Sequence, residues 1–395
     1  MINKNMHALG TKRSVIRELF EYGLKRKAEI GADNVYDFSL GNPSVPAPDE
    51  VNENLIKLIR EESSIALHGY TTAAGDVAVR TAIANYINET QGENVNAGCL
   101  YMTVGAAAAL TASLTAVACT GEEVVVPTPY FPEYKVFIER CGAKIVPVAT
   151  RASDLKLDVP AMEAAITDKT AAVIINSPNN PSGVVYDEEN ITELCEMLKR
   201  KEKELGRTIY LISDEPYREL VYDGIKVPYL TKYYDNTLVC YSYSKSLSIP
   251  GERIGYVLVS PKCHEFADTY AAICGAGRAL GFVCAPSLLQ RLVPTCLGKC
   301  SDVTIYDKNR RLLLESLTEY GYELIKPEGA FYLMIKSPSG DAGEFSERAK
   351  KFELLIVPSD DFGTPGYARL SYCVKTEQIE RALPALKALI ESYKD

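Results

Sequence analysis

Apolar runs recur along the first three quarters of the chain, at 100–104, 123–127, 144–148, 171–176, 208–213, 238–242 and 254–259. Each is short, nearly unbroken and bounded by turn-forming residues, the pattern of strands buried on both faces. Between them lie longer stretches with apolar residues at helical spacing, including 106–119, 131–141 and 187–205, the last with Asp187 as a candidate N-cap. This alternation predicts an α/β domain whose mainly parallel seven-stranded sheet lies between helices. After about residue 290 the rhythm changes. Long amphipathic segments at 301–320 and 376–394 bracket short strands at 331–335, 354–357 and 368–372, predicting a smaller α+β domain. A helix at 14–30, with Ile16, Leu19, Phe20, Leu24 and Ala28 on one stripe, is expected to pack against that smaller domain. The division is therefore a large domain over 48–290 and a small one built from 1–47 and 291–395.

Bulk properties narrow the function classes. The 395 residues are 47% hydrophobic and 24% charged, an ordinary globular balance, and the net charge of −9 argues against nucleic acid as a partner. The densest basic run, 199–203 (KRKEK), falls on a helix among glutamates and reads as a solvated face. No segment approaches the roughly 18 apolar residues of a membrane span, and the N-terminus lacks the apolar core of a secretory leader. A cytoplasmic protein with no membrane partner is expected. Its eleven cysteines are scattered, and with only three histidines no metal site is predicted.

Four motifs fall at predicted strand ends, where open α/β sheets bind ligands. Lys245, in Tyr241-Ser-Tyr-Ser-Lys245, stands among the hydroxyls of Ser242 and Ser244, with Arg253 following a Pro-Gly turn. A lysine there suits an imine bond and an arginine suits phosphate; the competing reading is a solvated lysine in a polar loop. Asp214, in Ser213-Asp-Glu-Pro-Tyr217, is either a partner for a ring nitrogen or a helix cap. Asn180, in the Asn- and Pro-rich stretch 176–183, is a candidate hydrogen-bond donor in what is otherwise a rigid turn. At Gly105, Ala106 and Ala107 a strand runs into a helix start with small residues, so an anion can approach the main chain. Neither dinucleotide nor ATP glycine signatures occur there.

One cofactor makes all four demands. Pyridoxal 5'-phosphate (PLP) needs a lysine for its aldehyde, an acid for its ring nitrogen, donors for its phenolic oxygen and a cage for its phosphate. The ordered motifs resemble those of the fold type I, class I/II PLP-dependent aminotransferases, closest in style to the bacterial aspartate aminotransferase group. The likeness runs from Ser39-Leu-Gly-Asn-Pro43 to Tyr367-Ala-Arg-Leu-Ser-Tyr372.

That resemblance implies a set of roles. Lys245 would be the Schiff-base lysine and proton shuttle, Asp214 would pair the pyridine nitrogen, and Asn180 and Tyr217 would bind the phenolic oxygen. Arg253, Ser242, Ser244 and the Gly105–Ala107 backbone would hold the phosphate. Phe131 falls where the family stacks an aromatic ring; many aspartate-specific members have tryptophan there, and this chain has none. Arg369 matches the arginine that clamps the substrate α-carboxylate, beside Gly41. Tyr70 resembles the tyrosine that reaches the phosphate of a neighbouring subunit, implying a homodimer with shared sites. Arg278 lies in a stretch comparable to the one from which dicarboxylate-specific relatives supply a second arginine, and would help select an acidic side chain.

The resulting expectation is a ping-pong transamination between an L-amino acid, aspartate foremost, and a 2-oxo acid. The alternatives are an aminotransferase for aromatic or aliphatic amino acids, a PLP-dependent carbon–sulfur β-lyase and, more remotely, a non-catalytic regulator on the same fold.

Overall fold

Seven strands make the central sheet of the computed structural model, which describes residues 2–11 and 14–394. In chain order they are β1 Leu100–Thr103, β2 Glu123–Thr128, β3 Lys144–Ala149, β4 Thr170–Asn176, β5 Tyr210–Asp214, β6 Thr237–Ser242 and β7 Gly255–Val259. In space they run β1-β7-β6-β5-β4-β2-β3. Every neighbouring pair is parallel except those made by β7, which runs antiparallel to both β1 and β6. All seven predicted strands are present, with ends shifted by one or two residues.

The period of two divides the sheet's apolar residues between two cores. Val124, Val126, Ala172, Ile174 and Ile212 pack on one face with helix Ala106–Val117. Val125, Val173, Ile175 and Leu211 pack on the other with helix Glu188–Leu205. The first helix is apolar all round and sandwiched. The second is amphipathic: Ile191, Leu194 and Leu198 are buried, each burial worth about 1.5–3 kcal/mol, and the KRKEK run lies largely on its outer side. Asp187 caps it by accepting from the Asn190 amide, and Gly206 ends it in the left-handed region. Helix 131–141 starts later than expected, as Glu133–Arg140, because Pro132 occupies its N-cap.

A second, four-stranded antiparallel sheet contains β8 Leu324–Ile325, β9 Tyr332–Lys336, β10 Val357–Pro358 and β11 Tyr367–Ser371, in the order β10-β11-β9-β8. The run 354–357, expected as one strand, is divided. Leu354–Leu355 pairs in parallel with Tyr36–Asp37, whereas Val357–Pro358 pairs with β11, so successive residues satisfy different partners. Helices Val303–Tyr320 and Thr376–Glu391 pack against this sheet. Helix Val15–Ile30 joins them: Leu19 meets Val357 and Phe362, and Arg26 binds Glu353 at 2.6 Å. Among the described residues no helix is long and apolar enough to cross a membrane, and no His/Cys/Asp/Glu group could hold a metal ion.

Candidate active site

Register sets up the site. In the ladder β4-β5-β6, Asn176 pairs with Asp214 and Asp214 with Cys240, so the carboxyl ends of β4 and β5 are level and β6 runs two residues further. Beyond that edge lies a cleft of about 290 Å³ whose lining includes Asn180, Asp214, Tyr217, Lys245, Arg253 and Arg369. Gly41, Ala106, Ala107, Phe131, Ser242 and Ser244 also face it.

Lys245 sits in the helical turn Tyr243–Ser246 that follows β6, a turn capped by Ser242 accepting from the Ser244 amide. Its Nζ donates to the Gly41 carbonyl at 2.8 Å. Burial lowers its pKa to about 8, against a small opposing effect of Cys373 and with help from Arg253 and Arg369. An amine in that range keeps a reactive neutral fraction near neutral pH, as a nucleophile or proton carrier requires.

Asp214 is 5% exposed, and burial raises its pKa to about 7 against the lowering effect of the Tyr134 hydroxyl. Tyr134 donates to Oδ2, while Oδ1 is buried with no partner. A carboxylate held this way needs a cation at its free oxygen. Asn176 fixes the neighbourhood, donating to the Asp214 carbonyl at 2.8 Å and accepting from the Asn180 amide at 2.7 Å. The Asn180–Pro181 peptide is cis. On the far side, the Tyr217 and Tyr332 hydroxyls lie 2.9 Å apart.

The anion end forms where β1 and β7 adjoin, with Thr103 opposite Gly255. Gly105 caps helix Ala106–Val117 at φ +85, and a Cβ there would lie 2.7 Å from Nη2 of Arg253. Only glycine lets the guanidinium close over the helix start, whose free amides already favour an anion. Ser242 and Ser244 share a 2.6 Å hydrogen bond beside them, and Arg253 donates to the Pro250 carbonyl at 2.9 Å.

Arg369, on β11, is the residue that the second sheet delivers into the cleft. It is 2% exposed and donates to Asn180 Oδ1 at 3.2 Å and to the Ser39 carbonyl, with its guanidinium over the rings of Tyr332 and Phe362. Its Nε is buried without a partner, and among the described residues no carboxylate lies within 4.0 Å of it. Burial pulls its pKa down.

Three predicted residues stand outside the lining. Gly105 lies directly behind it, against Arg253. Tyr70 is 94% exposed, and Arg278 is exposed in the last turn of helix Phe266–Ala279. Residues not singled out from the sequence are Tyr134, Asn176 and Tyr332. Tyr134 follows Phe131 by one helical turn, a spacing that places both on one side of the helix start. Tyr332 gave no local signal: it reaches Tyr217 only through the packing of the two sheets.

The residues fit PLP. The orphaned oxygen of Asp214 offers the acidic partner that a ring nitrogen requires, the cradle at Gly105 offers the phosphate site, and Lys245 lines the same cleft as Asp214.

Comparison with known proteins agrees. The family described as aminotransferase class I and II matches residues 33–386. A probable N-acetyl-LL-diaminopimelate aminotransferase of Bacillus subtilis is 30% identical over 95% of this chain and 94% of its own length. An aspartate aminotransferase of Thermotoga maritima is 29% identical over 95% of this chain and 97% of its own. Among solved structures, an amino transferase from Eubacterium rectale superposes over all of both chains with a TM-score of 0.98 and 54% identity. With the match reaching from the first sheet-forming residues into the last helix, the chain belongs to the class I and II aminotransferases, PLP-dependent enzymes.

Proposed function

We propose that the enzyme moves the amino group of an L-amino acid, aspartate foremost, to a 2-oxo acid in two half-reactions at this one cleft. The observation that carries the reading is Arg369, a buried cation with no carboxylate of its own among the described residues, in the same cavity as a lysine whose pKa burial lowers to about 8. Arg369 binds the substrate α-carboxylate, and Asn180, which accepts from its Nη1, fixes the orientation of the guanidinium. That leaves the α-carbon facing Lys245. When bound, PLP withdraws electron density from that carbon. Lys245 takes the α-proton on its neutral amine and would return it across the amino nitrogen, to the carbon that carries the cofactor's aldehyde. Asp214 would present Oδ1 to the ring nitrogen while Tyr134 holds Oδ2, and Tyr217 and Asn180 would donate to the phenolic oxygen. Arg253, Ser242, Ser244 and the amides after Gly105 hold the phosphate, and Phe131 covers the ring. Gly41 lies beside the α-carboxylate, where any Cβ would collide with the Tyr332 hydroxyl.

The working unit we infer is a homodimer in which the exposed Tyr70 reaches the neighbouring phosphate and Arg278 reaches the neighbouring substrate side chain. The chain divides into 48–290 and a unit of 1–47 with 291–395, a reading supported by the packing of helix Val15–Ile30 on β10. Eleven cysteines, all free, favour a reducing, cytoplasmic setting.

The test is a half-reaction. Holoenzyme mixed with L-aspartate and no oxo acid should release about one oxaloacetate per active site and then stop. Release from an aromatic amino acid but not from aspartate would overturn the substrate assignment. Continuing release of ammonia and pyruvate from cystathionine would overturn transamination in favour of β-elimination.

A further inference from the structure

The two segments that carry Asp214 and Lys245 each have a second face. Along 214–219, Asp214 and Tyr217 line the cofactor cleft, whereas Arg218 and Glu219 line a different cavity. Along 241–246, Ser242, Ser244 and Lys245 face the cleft, whereas Tyr241, Tyr243 and Ser246 face that same second cavity. Both segments are the turns that follow β5 and β6, and each turn presents side chains to both cavities. The second cavity measures about 640 Å³, within the range of small-molecule sites and more than twice the cleft.

Its floor is aromatic. Tyr229, Tyr241, Tyr243 and Tyr256 are all buried, with the rings of Tyr241 and Tyr256 stacked at 5.0 Å. Glu219 lies among them and accepts from the Tyr241 hydroxyl at 2.8 Å. Its other carboxyl oxygen is buried without a partner, as is the Tyr229 hydroxyl, and burial pushes the carboxyl above its ordinary range. Such groups are costly to leave unmatched. The neighbouring cation Arg218 donates to Glu215 at 2.6 Å and lies over the Tyr229 ring at 4.7 Å, which leaves the rings of Tyr241, Tyr243 and Tyr256 for a ligand. The rim carries two free cations: Lys226 and Lys232 are exposed, and among the described residues no carboxylate lies within 4.0 Å of either, while the exposed Glu188, which also lines the cavity, accepts from the Tyr233 hydroxyl at 2.9 Å.

A carboxyl with one oxygen buried and unpartnered among tyrosines attracts an ammonium group, and free lysines at the mouth attract an anion. A simple cation would leave Lys226 and Lys232 unmatched, and a simple anion would meet the carboxyl at the floor. We propose that this cavity is a second binding site for a free α-amino acid, its ammonium group toward Glu219 and the tyrosine rings and its carboxylate toward Lys226 and Lys232. The site stands apart from the transamination reading and shares only backbone with the cofactor cleft.

Calorimetric titration tests it on holoenzyme whose cofactor has been fixed to Lys245 by borohydride, so that amino acids cannot react in the cleft. Each of the common L-amino acids is titrated up to about 10 mM, the weak end of specific binding. At least one should bind once per chain, and both Glu219→Gln and the double variant Lys226→Glu/Lys232→Glu should weaken it about tenfold. Arg369→Gln should leave it unchanged. Absence of binding, binding that survives both sets of variants, or binding lost with Arg369→Gln would each overturn the proposal. If Glu219→Gln does not fold, the exposed lysine pair decides alone.

Discussion

Arg310 and Arg369 are each 2% exposed and each stacked on a tyrosine, yet their surroundings differ in kind. Arg310, on helix Val303–Tyr320, bonds Asp307 at 2.8 Å through Nε, Asp223 at 2.9 Å through Nη2 and the Pro327 carbonyl at 3.1 Å. Burial lowers its pKa, but the hydrogen bonds to Asp307 and Asp223 more than offset this and raise it. Arg369 has an amide oxygen, a carbonyl and two rings, but no carboxylate, and burial alone pulls it down. A buried charge that is fully matched belongs to the fold. One left unmatched is held for a ligand, because the cost of burying it is repaid only on binding.

Lys245 extends the comparison, since its one hydrogen-bond acceptor is the Gly41 carbonyl. It carries the largest expected effect. Lys245→Ala should lose about 10⁴-fold in turnover, the upper end for a positioned proton carrier, while still binding PLP. Turnover near that of the unaltered enzyme would identify the wrong lysine.

The two arginines should then separate cleanly. Arg369→Gln should lose about a hundredfold or more in kcat/KM, as expected for half of a buried charge pair, with Tm unchanged or higher. Arg310→Gln should cost about 1–3 kcal/mol of stability, through its lost charge-assisted hydrogen bonds and stem packing while Asp307 and Asp223 keep Arg311 as a partner, with kcat/KM per folded molecule unchanged. Denaturant unfolding and steady-state rates on both variants check this. Exchanged outcomes would break the distinction between matched and unmatched charge.

Asp214 is the acidic counterpart of Arg369. Its folded pKa, about 7, lies above its unfolded value, so the protonated carboxyl favours the fold at low pH. That advantage is lost as pH rises through 7. For apoenzyme the contribution amounts to about 2 kcal/mol between pH 5 and 7. Asp214→Asn should remove this slope, measured as the difference in unfolding free energy at the two pH values. An identical slope in both proteins would mean that the carboxyl is already ionised at pH 5.

How much of this was legible in the sequence depends on the range of the interaction. The seven strands were readable because burial on both faces leaves continuous apolar runs. Lys245, Asp214 and Asn180 were readable because each sits in a short motif at a strand end. Tyr134 was not, although it touches Asp214, because a tyrosine 80 positions away gives no local sign of its partner. The divided run 354–357 was missed for the same reason: its two halves look alike but pair with strands more than 300 and about 10 residues away. Matched and unmatched arginines look identical in sequence as well. Arg310 drew no attention, and Arg369 was set apart by its place in the motif Tyr367-Ala-Arg-Leu-Ser-Tyr372.

Arg278 closes the series with the smallest effect. It is exposed, and among the described residues it has no carboxylate within 4.0 Å, but this bareness has a different meaning from that of Arg369. A cation in water is matched by solvent, so leaving it unpaired costs nothing and implies nothing. Only a change in selection gives it a role. If it reaches the neighbouring substrate side chain, Arg278→Ala should lower the ratio of kcat/KM for aspartate to that for an aromatic amino acid by about tenfold. The rate with the aromatic substrate should hold, because the α-carboxylate remains on Arg369. A ratio equal to that of the unaltered enzyme would remove Arg278 from the site and leave acidic-substrate preference without a second cation.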